Sequence, residues 1–326
     1  MILGLETSCD DTCAALVARD GTIAASVISS QEAHSRFGGV VPEVAARAHL
    51  ELIEHVISEA FARAGATLDD VELVAATRGP GLVGALLVGF ATAKALAAAR
   101  RLPLAPIDHL AGHVAAAYLR PAAFEPPFVA LIASGGHTLL LAVRERGAPP
   151  EVLARTLDDA AGEAFDKGAR MLGLGYPGGV PLERLARSGD PKAFAFPRGR
   201  GADFSFAGLK TALLYKTREV ELSNERVRAD LAASYQCAIV DGLVWRTERA
   251  LSRTGLRRLA LGGGVAANGP LRERLGELGA ELFLPPLALC TDNAAMIAAA
   301  ALDAPAVCYP DYLELDVYAT GEGPLR

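Results

Sequence analysis

Two segments of the chain share one hydrophobic pattern: an apolar strand, a turn of small residues and a second apolar strand. The first occupies residues 2–18 and turns at residues 6–12, while the second occupies residues 128–143 and turns at Ser134–His137. A third strand follows each hairpin. A pattern repeated on this scale predicts two similar halves facing each other across a cleft. Turns rich in Ser, Thr and Gly bind phosphate through their backbone N–H groups, so a phosphate or nucleotide site is predicted.

Helical segments alternate with strands after each hairpin. We predict a helix over 43–64, a strand over 71–77 and an apolar helix that ends at Arg101. A long helix is predicted over 228–254, a final helix begins at Asn293, and the residues from Pro310 form a polar tail. The alternation indicates an α/β protein with mixed sheets. The expected fold is the duplicated ribonuclease-H-like fold of actin, sugar kinases and heat-shock ATPases, with two lobes around a central cleft.

A proline-rich joint at residues 121–127 separates the two halves. We therefore expect an N-terminal lobe over 1–120 and a C-terminal lobe over 121–326. An insertion is expected around 173–223, since its first part is rich in Gly, Pro and Arg. The final helix is expected to pack back on the N-terminal lobe.

Residues 81–99 are almost wholly apolar, which raises the question of a membrane span. Lys94, three glycines and the flanking strand-like segments favour a buried crossover helix instead, so no membrane partner is expected. The net charge of −6 provides no overall basic field for nucleic acid, and a local patch or a partner would be needed. Five scattered cysteines without a CxxC motif favour a reducing, cytoplasmic location.

His109 and His113 are four residues apart on a predicted helix that Asp108 is placed to cap. This spacing puts both imidazoles on one face, within reach of one cation, although two surface histidines would share the spacing. Leu110 stands where a zinc-peptidase HExxH motif has glutamate. Asp292 is the best candidate for a third ligand, and it could instead, or in addition, cap the last helix. Two histidines and one carboxylate suit Fe(II), and less distinctively Zn(II).

Four further motifs carry candidate chemistry, each with a structural alternative. Ser134–His137 forms either an anion site or a plain hairpin turn, and Gly262–Asn268 either a nucleotide-binding loop or a tight strand-to-helix turn. Residues 160–168 place Asp166 beside a Glu163–Lys167 pair, which is also typical of a solvated helix face. Residues 198–210 mix basic and aromatic side chains that contact phosphates and bases, or whose rings pack inward.

Taken together and in this order, eight motifs resemble the tRNA adenosine threonylcarbamoyltransferase family, formerly labelled glycoproteases. They cover the chain to about residue 302, and the length resembles that of a bacterial transferase subunit. The motifs are Glu6–Asp11, His109–His113, Ser134–His137, Asp158–Asp166, Tyr176–Gly179, Phe204–Lys210, Gly262–Asn268 and Cys290–Asn293.

The resemblance implies acyl transfer. A threonylcarbamoyl group passes from threonylcarbamoyl-adenylate to the exocyclic amine of the adenosine 3′-adjacent to the anticodon, in tRNAs that read codons beginning with A. It implies one divalent metal, Fe(II) or alternatively Zn(II), bound by His109, His113 and Asp292. Asp10 or Asp11 accepts the amine proton or contacts the metal through water. The implied substrate-binding positions are Ile132, Ala133, Ser134, Gly135, Gly136, Asp166, Gly179, Glu183 and Asn268.

The implied partners are tRNA, a related two-lobed paralogue and a small ATPase subunit. Three competing functions are a metal-dependent peptidase, an ATPase related to sugar kinases, and a binding subunit without activity. The absence of glutamate at position 110 argues against the first. The His pair argues against the second, and the complete set of candidate ligands against the third.

Overall fold

The computed structural model describes residues 1–121, 123–197, 199 and 201–321. The chain forms two compact units. Unit 1 comprises Met1–Glu125 together with the chain from Thr291 onwards, and unit 2 comprises Pro126–Cys290. The predicted boundary after residue 120 therefore lies five residues too early. The prediction places residues 291–326 in the second lobe, whereas they belong to unit 1. The reason is that the last helix packs on the first strands of unit 1.

The sheets of the two units have the same strand order. In unit 1 the order is β3 (Ile23–Ser30), β2 (Asp11–Val17), β1 (Ile2–Glu6), β4 (Leu73–Gly79) and β5 (Leu104–Asp108). In unit 2 the corresponding order is β8 (Glu151–Arg155), β7 (Thr138–Val143), β6 (Phe128–Ala133), β9 (Arg258–Gly262) and β10 (Glu281–Phe283). Each unit opens with an antiparallel hairpin, pairing Ile2 with Val17 and Phe128 with Val143. The first strand of each hairpin also pairs in parallel with a later strand, β4 or β9. The duplication expected from the hydrophobic pattern is thus confirmed, and the fold is the duplicated ribonuclease-H-like α/β fold.

The helices of unit 1 are α1 (Pro42–Ala64), α2 (Val83–Arg100), α3 (His109–Ala115) and the last helix, α9 (Ala294–Ala300). The helices of unit 2 are α4 (Ala161–Met171), α5 (Gly179–Ala186), α6 (Ala207–Glu219), α7 (Glu225–Thr254) and α8 (Gly269–Gly276).

Local sequence signals set the ends of several elements. Pro42 is the first residue of α1, where a missing N–H costs nothing, and Gly65 ends the helix with a φ of 61°. Every residue of β1, β6 and β7 is buried, as expected for strands covered on both faces. The predicted insertion contains α5 and α6, and both pack on α4.

Among the described residues, α2 is long and apolar enough to span a membrane by length and composition. Its residues Leu86, Phe90 and Ala93 are buried in unit 1, where the helix packs against α1 and β4. A helix whose inner face belongs to a domain core accounts for the apolar run.

Residues 311–321 are not a loose polar tail, so for this part of the chain that prediction is wrong. Tyr312 is fully buried in the core of unit 1. Lys94 donates hydrogen bonds to the carbonyls of Leu313 and Leu315, and the Tyr318 N–H donates to the Arg78 carbonyl at 3.1 Å. This C-terminal segment is therefore held by backbone hydrogen bonds that the polarity of its sequence does not reveal.

Candidate metal centre and substrate-binding residues

Helix α3 brings His109 and His113 together. Asp108 caps this helix, because its Oδ1 accepts from the N–H groups of Leu110 and Ala111 at 2.9 and 3.2 Å. Both histidines are buried, and their ring centroids are 4.7 Å apart. They are therefore not the exposed pair that the spacing alone also allowed.

Asp292 points at the same two rings. The N-cap of α9 is Asn293, whose Oδ1 accepts from the Met296 N–H at 2.9 Å, so the Asp292 carboxylate is free of that role. Its Oδ1 lies 3.5 Å from Nε2 of His109 and 3.4 Å from Nε2 of His113. The alternative role as the helix cap is thereby excluded.

These three side chains fit a divalent cation. Their donor atoms all lie within 4.8 Å of one another. Two donors bound to zinc or iron at about 2.0–2.1 Å, in near-tetrahedral geometry, are about 3.1–3.5 Å apart, which matches both distances to Asp292. Within the part of the chain that the structure describes, neither ring nitrogen of His113 has a hydrogen-bond partner, although the ring is buried. A buried imidazole in that state is expected where a ligand completes its surroundings.

Glu6 orients His109 from behind, a role that the motif analysis did not assign. His109 Nδ1–H donates to Glu6 Oε2 at 2.9 Å, which leaves Nε2 to face Asp292. The Thr77 hydroxyl donates to the same Glu6 oxygen at 2.6 Å. A carboxylate on the far nitrogen of a ligating histidine fixes its tautomer and raises its basicity. In the sequence, Glu6 is recognisable as a candidate only because it is a charged residue at the end of a fully apolar strand.

Charges around His109 set its protonation. Burial lowers the pKa of His109, but the negative charges of Asp292 and Glu6 outweigh it and raise the pKa to about 9. Burial acts to raise the pKa of Glu6, and interaction with His109 brings it below its ordinary value. Glu6 is therefore ionised at neutral pH. The carboxylates of Glu6 and Asp292 together carry more negative charge than the ring of His109 carries positive charge, which favours binding of a cation.

Asp10 and Asp11 lie in the hairpin turn of unit 1, and Asp11 begins β2. Burial raises the pKa of Asp11 to about 7, against a hydrogen bond from Ser30 that lowers it. The negative charge of Asp292 adds to this rise. A carboxyl group with a pKa near neutrality is suited to accepting a proton at physiological pH.

His49 of α1 holds this turn in place, and the sequence analysis missed it. Its Nε2–H donates to the Cys9 carbonyl at 3.0 Å, and its Nδ1 lies 2.8 Å from the Thr12 hydroxyl. Burial lowers the pKa of His49, so the ring is neutral and Nδ1 accepts from Thr12. The turn that carries Asp10 and Asp11 is thus anchored on both sides.

In unit 2, the positions Ile132–Gly136 lie at the end of β6 and in the turn that follows. The Ser134 N–H donates to the His137 carbonyl at 2.8 Å, and the Ser134 carbonyl accepts from the Gly162 N–H at 3.0 Å. A Cβ added at Gly162 would lie 2.6 Å from that carbonyl, so only glycine lets α4 start this close to the turn. Nothing lies within 4 Å of where a Cβ would stand at Gly135 or Gly136, which leaves their backbone approachable.

The other four predicted positions are linked through α5. Asp166 accepts from the Gly178 N–H at 2.7 Å, immediately before Gly179 begins that helix. Asn268 caps α8 and donates from Nδ2 to Glu183 Oε2 at 3.1 Å. The structure therefore brings Glu183 and Asn268 into direct contact and joins Asp166 to the start of the same helix.

The remaining motif predictions have mixed outcomes. Lys167 pairs with Glu163 at 2.7 Å, as predicted, and also with Asp159 at 2.9 Å. The rings of Phe204 and Phe206 are buried and stacked on each other, so they pack inward. Arg198 and Arg200, at the start of that motif, lie outside the described residues.

Solved structures of similar fold define the structural class. The chain aligns over 96% of its length with 99% of the Acidaminococcus fermentans (R)-2-hydroxyglutaryl-CoA dehydratase component A, with a TM-score of 0.56 and 18% identity. It aligns over 92% of its length with 46% of T. kodakarensis HypF, with a TM-score of 0.62 and 14% identity. The protein is thus of the actin and heat-shock ATPase structural class, and at these identities the likeness concerns the fold alone.

The family is narrower than the class. A family model described as tRNA N6-adenosine threonylcarbamoyltransferase matches residues 22–299. A protein of that name in Symbiobacterium thermophilum is 53% identical to this chain over 308 residues, which cover 92% of this chain and 90% of the relative. Another, in Trichlorobacter lovleyi, is 48% identical over 332 residues, which cover 98% of this chain and 96% of the relative. The chain belongs to the tRNA N6-adenosine threonylcarbamoyltransferase family and is a transferase of tRNA modification.

Proposed function

We propose that this enzyme transfers the threonylcarbamoyl group from threonylcarbamoyl-adenylate to the exocyclic amine of the adenosine 3′-adjacent to the anticodon, in tRNAs reading codons that begin with A. The observation that carries the proposal is the convergence of Nε2 of His109, Nε2 of His113 and a carboxylate oxygen of Asp292 in a member of this family. Two histidines and one carboxylate leave open positions for a substrate.

His109, His113 and Asp292 would hold a divalent metal, with Fe(II) proposed ahead of Zn(II) on the donor set. When bound, such a metal supplies Lewis-acid polarisation of a carbonyl and a template for substrate. Glu6 keeps Nδ1 of His109 protonated, since the carboxylate can only accept that hydrogen bond, so Nε2 is the nitrogen that would release its proton and bind the metal. The chain thus determines which nitrogen of His109 is available as a ligand.

The acceptor amine loses a proton during transfer. Asp11 is the group we assign to that proton, because burial raises its pKa to about 7. His49 positions the turn through Cys9 and Thr12, so the carboxyl group is held while it gains the proton. The donor is already an activated mixed anhydride, which removes the need for a covalent nucleophile.

Unit 2 carries the positions that we propose for the adenylate. The turn at Ser134–Gly136 offers open backbone beside the start of α4, which suits a phosphate. Glu183 and Asn268, hydrogen-bonded to each other, and Asp166 supply oxygen acceptors for hydroxyl or amine groups. Positioning of two reactants contributes on the order of 7–11 kcal/mol to such a reaction.

Partner subunits complete the proposed synthase: a related two-lobed paralogue and a small ATPase. The net charge of −6 supports a division of tRNA binding between subunits, because phosphate contacts need positive charge. None of the five cysteines, all within the described residues, forms a disulfide, which supports a cytoplasmic location.

A transfer assay tests the proposal. Unmodified tRNA is incubated with labelled threonine, bicarbonate, ATP, the adenylate-forming enzyme and the partner subunits, with and without this protein. We expect label in tRNA only when the protein is present, and none with His113→Ala. If partners verified on a reference transferase give no label, or if this protein alone turns over ATP rapidly without tRNA or partners, the transfer proposal fails in favour of an ATPase.

A further inference from the structure

Unit 2 contains a cavity of about 680 Å³ that the proposed reaction does not use. Helices α6, α7 and α8 and the loop before α6 line it. The lining includes none of the predicted metal ligands or substrate-binding positions. Its volume falls in the range of ligand-binding clefts, which is roughly 300–1,000 Å³.

Trp245 is one of the residues that line this cavity. The residue is 40% exposed, whereas Leu243 and Val244 beside it on α7 are buried. The guanidinium of Arg246 lies 5.3 Å from the indole ring and that of Arg249 lies 4.8 Å from it. The indole is therefore held beside two cations while part of its surface stays open to solvent.

Hydrogen bonds to backbone carbonyls hold Arg246 in place beside the indole ring of Trp245. Its Nε donates to the Asp203 carbonyl at 2.7 Å and its Nη1 to the Gly242 carbonyl at 3.1 Å, and the side chain is buried. Arg249, one turn after Trp245, is exposed. Because Arg246 is anchored by carbonyls, the ring beside it is preorganised, and Arg249 is the cation available to a ligand.

Acidic groups on the cavity wall favour a base over a phosphate as the ligand of the cavity. Asp241 and Glu248 both line it, and Asp241 is paired with Arg274 at 2.8 Å. Carboxylates repel a phosphate but accept hydrogen bonds from the exocyclic amine of adenine, cytosine or guanine. Arg249 and Arg253 continue along α7 at four-residue spacing from Trp245, so positive charge lies on the helix beyond the cavity.

We propose that this cavity takes an unpaired base of the tRNA substrate, stacked on Trp245, with the neighbouring phosphates near Arg249. The proposal rests on the proposed function in that it takes tRNA as the acceptor. Proteins that hold single-stranded nucleic acid stack its bases on aromatic side chains and place positive charge, including arginine, near its backbone. It gives this acidic chain a tRNA contact of its own.

Trp245 is the one tryptophan of the chain, so intrinsic fluorescence reports on this cavity directly. We expect unmodified tRNA to quench it saturably, and Arg249→Gln to weaken that binding several-fold. Arg144→Gln, which removes an exposed arginine from another part of unit 2, is the matched control and is expected to bind as the wild type does. No quenching by tRNA, quenching by AMP at equal concentration, or equal losses in both variants would overturn the proposal.

Transfer kinetics separate this inference from the proposed function. Trp245→Ala is expected to raise KM for tRNA about 5- to 100-fold with little change in kcat, whereas Trp245→Phe keeps most of the affinity. Melting temperature and metal content verify that both variants are folded. An unchanged KM in Trp245→Ala, with a wild type active in transfer, contradicts the cavity proposal alone. A wild type that binds tRNA through Trp245 but transfers nothing contradicts the proposed function alone.

Discussion

Nδ1 of His109 lies 2.9 Å from Oε2 of Glu6, and both side chains are buried. The two residues are 103 positions apart, at the end of β1 and the start of α3. Their hydrogen bond couples the first strand of the chain to the candidate metal centre. It turns Nε2 of His109 towards Asp292, which is the orientation that a shared cation requires.

Glu6→Gln tests this coupling. The amide oxygen of Gln still accepts from Nδ1, but the negative charge that makes His109 a better ligand is lost. Metal affinity is expected to fall about 10- to 100-fold, measured by competition with a chelator. Thermal unfolding of the metal-free variant shows whether the fold is retained, and an unchanged affinity in a folded variant would contradict the role of Glu6.

Removing the candidate ligand His113 is expected to weaken metal binding more than removing the charge of Glu6, which only supports His109. His113→Ala is expected to abolish stoichiometric metal binding and transfer, because its ring nitrogens have no other partner within the described chain. His55→Ala, an exposed histidine on α1, is the control and should retain both. Metal content by elemental analysis after dialysis decides the matter, and full loading of His113→Ala would rule out the proposed site.

The pH dependence of transfer tests Asp11. A protonated carboxyl group accepts no proton, so the rate should rise with pH and level off once Asp11 is ionised. Burial raises its pKa to about 7, and a cation beside Asp292 offsets part of the rise, so the inflection is expected at or below pH 7. Single-turnover rates of Asp11→Asn should be low and lack that inflection; retention of the wild-type profile would assign the proton elsewhere.

The C-terminal segment contributes to the stability of α3. The Tyr318 hydroxyl donates to Asp108 Oδ2 at 2.6 Å, and Asp108 caps the helix with its other oxygen. Tyr318→Phe is expected to lower the free energy of unfolding by about 1–2 kcal/mol, measured in urea. Tyr309→Phe is the matched control, since its ring is 45% exposed. Equal stability of the two variants would mean that the hydrogen bond contributes nothing.

Gly4 sets the distance between β1 and α9. A Cβ there would lie 2.3 Å from the Ala294 carbonyl, a backbone atom that cannot swing aside. Gly4→Ala should cost about 1–3 kcal/mol and, by displacing α9, weaken metal binding at Asp292. Gly39→Ala, where nothing lies within 4 Å, should change neither. Calorimetric unfolding with and without added metal measures both effects.

The alternating strands and helices were predictable because each depends on local periodicity. The duplicated hairpins, the capped start of α3 and the close of α1 at Gly65 all follow from nearby residues. His109 and His113 share a helix, so their spacing alone brought them together. Asp292 required more, since its proximity depends on α9 packing against unit 1.

The missed features are contacts between residues far apart in sequence. Glu6 and His49 act through partners about 40 to 100 positions away, and no local pattern encodes those pairings. The C-terminal segment looked polar because Asp311, Glu314 and Asp316 dominate its composition. Its attachment depends instead on the buried Tyr312 ring and on backbone groups, which composition does not describe.

The return of the chain to unit 1 after residue 290 has a consequence for biosynthesis. A ribosome delivers Glu6 and both histidines early, whereas Asp292 emerges only after all of unit 2 has been made. Unit 2 is contiguous and can fold while it is being synthesised, but unit 1 must wait for its last helix. While unit 2 is being made, the nascent N-terminal segment thus lacks both the α9 cover of β1 and the Asp292 carboxylate, and the candidate metal centre is completed only after unit 2.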